Sequence, residues 1–145
     1  FDVTKGYLPI LITQIYFNEY VQLSALVTFL AHIFPVWLKF KGGKGVATYL
    51  GILFALSLSY AILFIFTWIA VLLIFKYSSV SSIFSSLTIL VVSFVKENVA
   101  NVLILNSSSN ENIKVLLFIF FVLIIFTHRK NISNLKNKKE SKVKF

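Results

Sequence analysis

The chain has 145 residues, 58% of them hydrophobic, with a formal net charge of +9 and a mean hydropathy of +0.88. Apolar content this high, laid out in long runs with only 13% charged residues, excludes an ordinary soluble domain and indicates an integral membrane protein. The absence of cysteine excludes disulfides and thiol redox chemistry, and two histidines with five acids are too few for a dedicated metal centre, so no metal is expected. The first residue is Phe1 and the chain contains no Met, so an N-terminal part is expected to be missing. Nothing at Phe1 resembles a signal peptide, because Asp2 and Lys5 precede the first apolar stretch.

Taken in order, Phe1 to Gly6 is a short polar entry in which Asp2 and Lys5 share a face if the segment is helical. Tyr7 to Phe17 is apolar but short for a span, with Pro9 near its start, where a first helical turn tolerates proline. Asn18-Glu19 reads as a turn at the membrane surface. Val21 to Leu38 is long enough to cross a bilayer; Pro35 should kink or end that helix, and Trp37 suits the headgroup level. His32, among apolar neighbours, reads as a packing or interfacial histidine rather than a ligand.

A basic, glycine-rich turn follows: Lys39-Phe40-Lys41-Gly42-Gly43-Lys44-Gly45. Its glycines permit tight folding, its lysines carry charge, and a helix starting at Val46 would aim free N–H groups at the same spot. Together these make a phosphate site. The spacing is not that of the soluble nucleotide loop, since no Ser or Thr directly follows Lys44. The bland alternative is a solvated turn whose charge fixes membrane orientation.

Val46 to Phe75 is too long for one upright span and short for two, and Ser57-Leu58-Ser59-Tyr60 is the plausible break between two shortened helices. Lys76-Tyr77-Ser78-Ser79-Val80-Ser81-Ser82 is a hydroxyl-rich basic turn. Its serines either cap a helix near Val80, the commoner role, or donate to a phosphate. Ile83 to Val95 is the next apolar segment, ended by Lys96-Glu97-Asn98. Val99 to Asn112 is partly a polar loop, and Ile113 to Thr127 the last hydrophobic helix. The remainder, 128–145, holds seven of the 14 Lys and Arg residues and a single acid, Glu140. The excess of positive charge suits the cytoplasmic side of an anionic membrane, and the turn at 39–44 should share that side. The same excess gives no reason to expect nucleic-acid binding. The expected fold is an all-α, polytopic integral membrane helix bundle with several short transmembrane helices.

The run His32-Ile33-Phe34-Pro35-Val36-Trp37-Leu38-Lys39-Phe40-Lys41-Gly42-Gly43-Lys44-Gly45-Val46-Ala47-Thr48 resembles a central motif of the bacterial acyl-phosphate:glycerol-3-phosphate acyltransferases (PlsY type). Asp2-Val3-Thr4-Lys5-Gly6 is similar to that family's D-x-x-K-G segment, and His128-Arg129-Lys130-Asn131-Ile132, with Leu135 and Glu140 beyond, to its C-terminal H-R-x-N-I motif. The likeness spans residues 2–140. It departs at Asn134 (usually Arg), Lys138 (usually Gly) and Lys76 (usually Arg). The family's earlier Gly/Ser/Asn-rich loop would lie upstream of Phe1, so this fragment is expected to be inactive alone.

The resemblance implies transfer of an acyl group from acyl-phosphate to the 1-hydroxyl of glycerol 3-phosphate, giving lysophosphatidic acid and phosphate, with no cofactor. Under it, Lys44, His128 and Asn131 are the candidate catalytic residues; His128 either binds phosphate, the preferred role, or accepts the hydroxyl proton. Lys41, Gly42, Gly43, Gly45, Ser79, Ser82 and Arg129 are the candidate phosphate ligands, and Asp2, Lys5, His32 and Glu140 the supporting residues. One acyltransferase domain over 1–140 and a flexible tail over 141–145 are expected. So are a bacterial inner-membrane location, with the basic turn and the tail cytoplasmic, contact with membrane lipids, and an upstream enzyme that makes the acyl-phosphate. The rival readings are a small transporter or channel element for a phosphorylated solute, and a structural membrane subunit.

Overall fold

The computed structural model describes residues 1–40, 42–102 and 111–143. Among these residues there is no strand, and seven α-helices run in order: α1 (Asp2–Tyr16), α2 (Val21–Ile33), α3 (Val46–Leu56), α4 (Leu58–Phe75), α5 (Ser78–Val102), α6 (Glu111–Thr127) and α7 (Arg129–Lys136). Short 3-10 turns lie at Asn18–Tyr20 and Val36–Leu38. The packing closes a ring: α1 meets α2 and α3, α3 meets α4, α4 meets α5, α5 meets α6, and α6 returns to α2. At its centre Tyr49 of α3 is fully buried, with ring centroids 5.5 Å from Phe64, 5.6 Å from Phe120 and 6.2 Å from Phe29, each edge to face. This is the arrangement that aromatic quadrupoles favour.

By length and composition, 58–75 and 78–95 can each cross a membrane; α6 and α7, bent by 55° at His128, form a third span if counted together. The outward faces are apolar, as at Phe66, Ile74 and Val91, which suits lipid rather than water as the neighbour.

Several boundaries differ from the sequence-based expectations, each for a physical reason. The polar entry is already helical: α1 starts at Asp2, and Lys5 Nζ reaches Asp2 Oδ1 at 3.4 Å. Pro9 is therefore inside the helix rather than in its first turn. The helix continues because an apolar setting offers a broken backbone no other partners. The expected span over 21–38 is a 13-residue helix ending at Ile33; Pro35 has no N–H and forces the preceding residue out of the helical region. The break in 46–75 falls at Ser57, whose backbone is extended (φ −164°, ψ 115°). Only α3, with 11 residues, is shortened, while α4 has 18. Lys96-Glu97-Asn98 does not stop α5, because lysine and glutamate are good helix formers and neither Gly nor Pro intervenes.

The hydroxyl-rich start of α5 does not cap it as expected. Ser81 and Ser82 donate backwards to the Tyr77 and Ser78 carbonyls at 3.0 and 2.9 Å, and Ser85 donates to Ser81. Spending each proton inside the helix lets these small side chains be buried against neighbouring helices. Of the segment 99–112, expected to be partly a polar loop, 99–102 belong to α5 and 111–112 to α6, and 103–110 lie outside the described residues.

Helix α1 crosses α3 at close range. A Cβ built at Gly6 would overlap the Thr48 carbonyl oxygen, and one at Gly51 the Val3 carbonyl oxygen; these are backbone atoms that cannot swing aside. Gly51→Val is accordingly expected to cost about 1–3 kcal/mol or more through overpacking. A fall in the detergent-solubilised Tm would register it, and an unchanged Tm would mean that the crossing is looser than drawn.

A candidate active site at one end of the bundle

The site is built where α2 stops. After Pro35 the chain turns tightly through Val36–Leu38, with the Phe40 N–H returning to the Pro35 carbonyl at 3.0 Å. Lys39 and Phe40 take left-handed angles (φ 51° and 60°), a strain of about 1–3 kcal/mol each for residues with a Cβ. The glycines then fold back onto the last turn of α2. At Gly42 a Cβ would overlap the His32 and Ile33 carbonyl oxygens, and Gly43 sits against His32 Nε2. Gly45 has φ 83° against the Phe29 ring, a conformation and a space that only glycine fits well. It is the N-cap of α3 and supplies no side-chain cap, so the first N–H groups of α3 face the loop uncapped.

Two cavities flank this loop. The first, about 860 Å³, is lined by Asp2, Lys5, His32 and residues 42–45. The second, about 550 Å³, has Lys44, Ser78, Ser79, Ser82 and His128 as its polar lining and Val46, Leu50, Phe64 and Trp68 among its apolar walls. Lys44 borders both. Segments far apart in sequence thus converge at one end of the ring: the start of α1, the glycine loop, the start of α5 and the α6–α7 bend. The glycine loop and the start of α5, joined by α3 and α4, both border the second cavity.

His128 is almost wholly buried at the bend. Its Nδ1 lies 2.8 Å from the Ile124 carbonyl. A carbonyl only accepts, so Nδ1 carries the proton and Nε2 keeps the lone pair in the neutral ring. Burial holds the imidazole below its ordinary pKa and the Lys44 charge adds to this; the Ile124 hydrogen bond and Glu140 oppose it.

The two candidate phosphate-binding serines have their protons committed within the protein. Ser82 donates to Ser78 and accepts from Trp68 Nε1 at 3.2 Å. Ser79 donates to Glu140 Oε1 at 2.6 Å, and the same oxygen accepts from Asn131 Nδ2 at 3.0 Å. Glu140 thereby ties α7 to α5 and holds Asn131 beside Ser79. Removing it in Glu140→Ala leaves the buried Ser79 and the half-buried Asn131 without their acceptor. The expected loss is about 1–3 kcal/mol of stability, read as a lower Tm, with Glu140→Gln milder.

Not every expected residue reaches the cavities. Arg129 is turned outwards: its guanidinium lies over the Phe126 ring at 4.3 Å and donates to the Phe126 carbonyl at 3.1 Å, because the bend at His128 swings the next residue away from the loop. Asn131 meets Glu140 rather than the cavity lining. Lys41 lies outside the described residues. Part of the tail expected to be flexible is held: Val143 N–H donates to the Lys76 carbonyl at 2.8 Å, and Lys142 Nζ lies 5.8 Å from the centre of the Tyr77 ring. Trp68 and Thr127, which sequence reasoning passed over, both contact the site residues. Neither stands in a motif, and their partners are set by helix packing.

The glycerol-3-phosphate acyltransferase family model matches residues 1–138. This chain belongs to the glycerol-3-phosphate acyltransferase family. It is 43% identical over 143 residues to the glycerol-3-phosphate acyltransferase of Pelagibacter ubique (strain HTCC1062), covering 99% of this chain and 68% of that protein. It is 38% identical over 144 residues to that of Wolbachia sp. subsp. Brugia malayi (strain TRS), covering 97% and 69%. Among solved structures it is similar to PlsY (YgiH), an integral membrane glycerol 3-phosphate acyltransferase, in its glycerol 3-phosphate form. The TM-score is 0.86 at 32% identity, over 99% of this chain and 68% of that one. The lysophosphatidic acid form of the same protein also gives 0.86. One departure from the glycerol-3-phosphate acyltransferase pattern now has a physical reading: Lys138, which stands where the family usually has glycine, takes φ 54°, a conformation that favours glycine.

Proposed function

We propose that this membrane-embedded acyltransferase joins its two substrates at the glycine loop, with the acyl-phosphate in the second cavity and Lys44 shared between the two phosphates. The family membership supports the reaction: acyl transfer from acyl-phosphate to the 1-hydroxyl of glycerol 3-phosphate, as a step of phospholipid synthesis. The observation that carries the site is a single cavity with Lys44, Ser79, Ser82 and His128 at hand and an apolar wall beside them, which suits a molecule with an anionic head and a fatty chain.

In the reaction the hydroxyl oxygen attacks the acyl carbonyl carbon, the carbon–oxygen bond to phosphate breaks, and phosphate leaves. The donor is already activated, so no serine or cysteine nucleophile is required. Lys44 and the free amides at the start of α3 offset negative charge on the phosphates and on the attacked carbonyl oxygen. The tautomer of His128 favours accepting the hydroxyl proton at Nε2 over gripping phosphate, because a neutral ring protonated at Nδ1 has no second donor. Ser79 bounds the site from the α5 side, and Asn131 of α7 acts behind it through the shared Glu140 oxygen. Of the remaining candidates, Lys41, Lys5 and Arg129 carry positive charge, Asp2 pairs with Lys5, and His32 packs against Gly43 of the loop.

The excess of basic residues in 128–145 and the basic turn supports an orientation with the site end in the cytoplasm of a bacterial inner membrane, where an enzyme that makes acyl-phosphate would supply the donor. The acyltransferase unit is taken as residues 1–140. The transporter reading lacks a polar path, since α3, α4 and α6 meet at Tyr49 and phenylalanines. The test is formation of lysophosphatidic acid and phosphate from acyl-phosphate and labelled glycerol 3-phosphate in membranes carrying the protein. Flux of labelled glycerol 3-phosphate into vesicles without any acyl transfer would overturn the reading.

A further inference from the structure

Thr127 is the last residue of α6, half-buried, and absent from every motif considered above. The ordinary use of a threonine in an apolar helix is to spend its proton on a carbonyl one turn back, as Thr67 does on Leu63 and Thr88 on Phe84. Thr127 has such a carbonyl within reach, Ile124 O at 2.9 Å. That oxygen is already contested: it accepts His128 Nδ1 at 2.8 Å and part of the His128 main-chain N–H, which lies 3.1 Å from both the Ile124 and the Ile125 carbonyls. The other acceptor is the Lys44 carbonyl, 3.0 Å from Thr127 Oγ1 and 83 residues away in sequence.

The Lys44 carbonyl is free to accept, because it lies outside the α3 ladder, whose first bond runs from the Tyr49 N–H to the Gly45 carbonyl. Lys44 is also followed by Gly45, at φ 83°, where the backbone has the most freedom to rotate. A fixed point at the Lys44 carbonyl therefore sets where both the lysine side chain and the Gly45 amide lie. Thr127 Oγ1 is in turn 3.4 Å from His128 Nδ1. The hydroxyl thus sits between the two groups that the acyl-transfer reading uses most.

We propose that Thr127 is a positioning residue: its hydroxyl, denied the usual carbonyl by His128, staples the glycine loop to the α6–α7 bend and holds Lys44 in register with His128. The proposal rests on the acyl-transfer reading of Lys44 and His128.

The experiment compares Thr127→Val, which keeps shape and loses the hydroxyl, with Thr127→Ser, which keeps the hydroxyl and loses the methyl, in the membrane-embedded enzyme. Thr127→Val is expected to lower kcat by about ten- to a hundredfold, the range that a misplacement of up to about 1 Å brings, with smaller changes in KM. Thr127→Ser is expected to restore most of that rate. In a His128→Asn background, Thr127→Val is expected to have little further effect, because the register it protects no longer matters. Normal kcat in Thr127→Val, or a Thr127→Ser enzyme as slow as Thr127→Val, overturns the staple; the second result assigns the site to methyl packing. Lys44→Ala and His128→Asn are assayed alongside. Wild-type rates in both would mean that the underlying acyl-transfer reading has failed, whereas loss in both with a normal Thr127→Val would fail the staple alone.

Discussion

Lys44→Ala is expected to lower kcat/KM for acyl transfer by about 10²–10³-fold, the usual cost of removing a group aimed at charge that develops in the transition state. The protein itself should survive the change. The Lys44 side chain is exposed, and its hydrogen bond from Thr127 runs through the main-chain carbonyl, which alanine keeps. Both cavities border Lys44, so KM for both phosphate substrates should rise together if one ammonium serves both. Lys44→Arg tests whether charge alone suffices; the larger planar guanidinium in a loop pressed against α2 should recover only part of the rate. Steady-state kinetics in membranes, with expression level and detergent Tm as controls, decides the matter. Normal turnover in Lys44→Ala would remove the lysine from the mechanism.

His128→Asn is expected to cost about 10²–10⁴-fold in kcat, the contribution of a positioned general base. Its pH dependence carries the sharper prediction. Burial is the largest influence on the imidazole and disfavours the charged form; the neighbouring Lys44 acts in the same direction, while the Ile124 carbonyl and Glu140 act against them. The net shift is downwards, so the free-enzyme ring stays neutral to a pH lower than an ordinary histidine, about 6.5, would allow. Nε2 must be unprotonated to accept a proton. The kcat/KM profile should therefore hold on its plateau through neutral pH and fall only below about 6.5, with a one-proton slope. The residual activity of His128→Asn should lack that limb. An identical acid limb in both enzymes would assign it to another group, the substrate phosphate included.

Much of this protein is legible from its residues alone, because lipid solvent leaves so few options. Long apolar runs must become helices, since no other conformation of a single segment satisfies its own backbone in an apolar medium. Pro35 had to end α2, and a break near Ser57 had to exist if Lys44 and Lys76 were to share a side. The basic glycine loop, the entry carrying Asp2 and Lys5, and the segment from His128 to Ile132 were readable as motifs because their chemistry is local. Boundaries are harder to read where two local rules conflict: by sequence Pro9 reads as a first-turn proline, and Lys96-Glu97-Asn98 as a stop. In each case the apolar setting or the helix propensity of the charged residues prevailed.

What the tertiary structure alone decided is which protons are already spent. Ser79 and Ser82 looked like phosphate donors, yet one serves Glu140 and the other Ser78. Arg129 looked like a phosphate ligand, yet the 55° bend turns it to Phe126. Whether His128 offers a proton or a lone pair depends on the Ile124 carbonyl, and the link from Thr127 to Lys44 joins positions 83 residues apart. A sequence states which groups can donate and accept. Hydrogen bonds are short and directional, so the angstrom-scale meeting of helices determines which of those groups remain free.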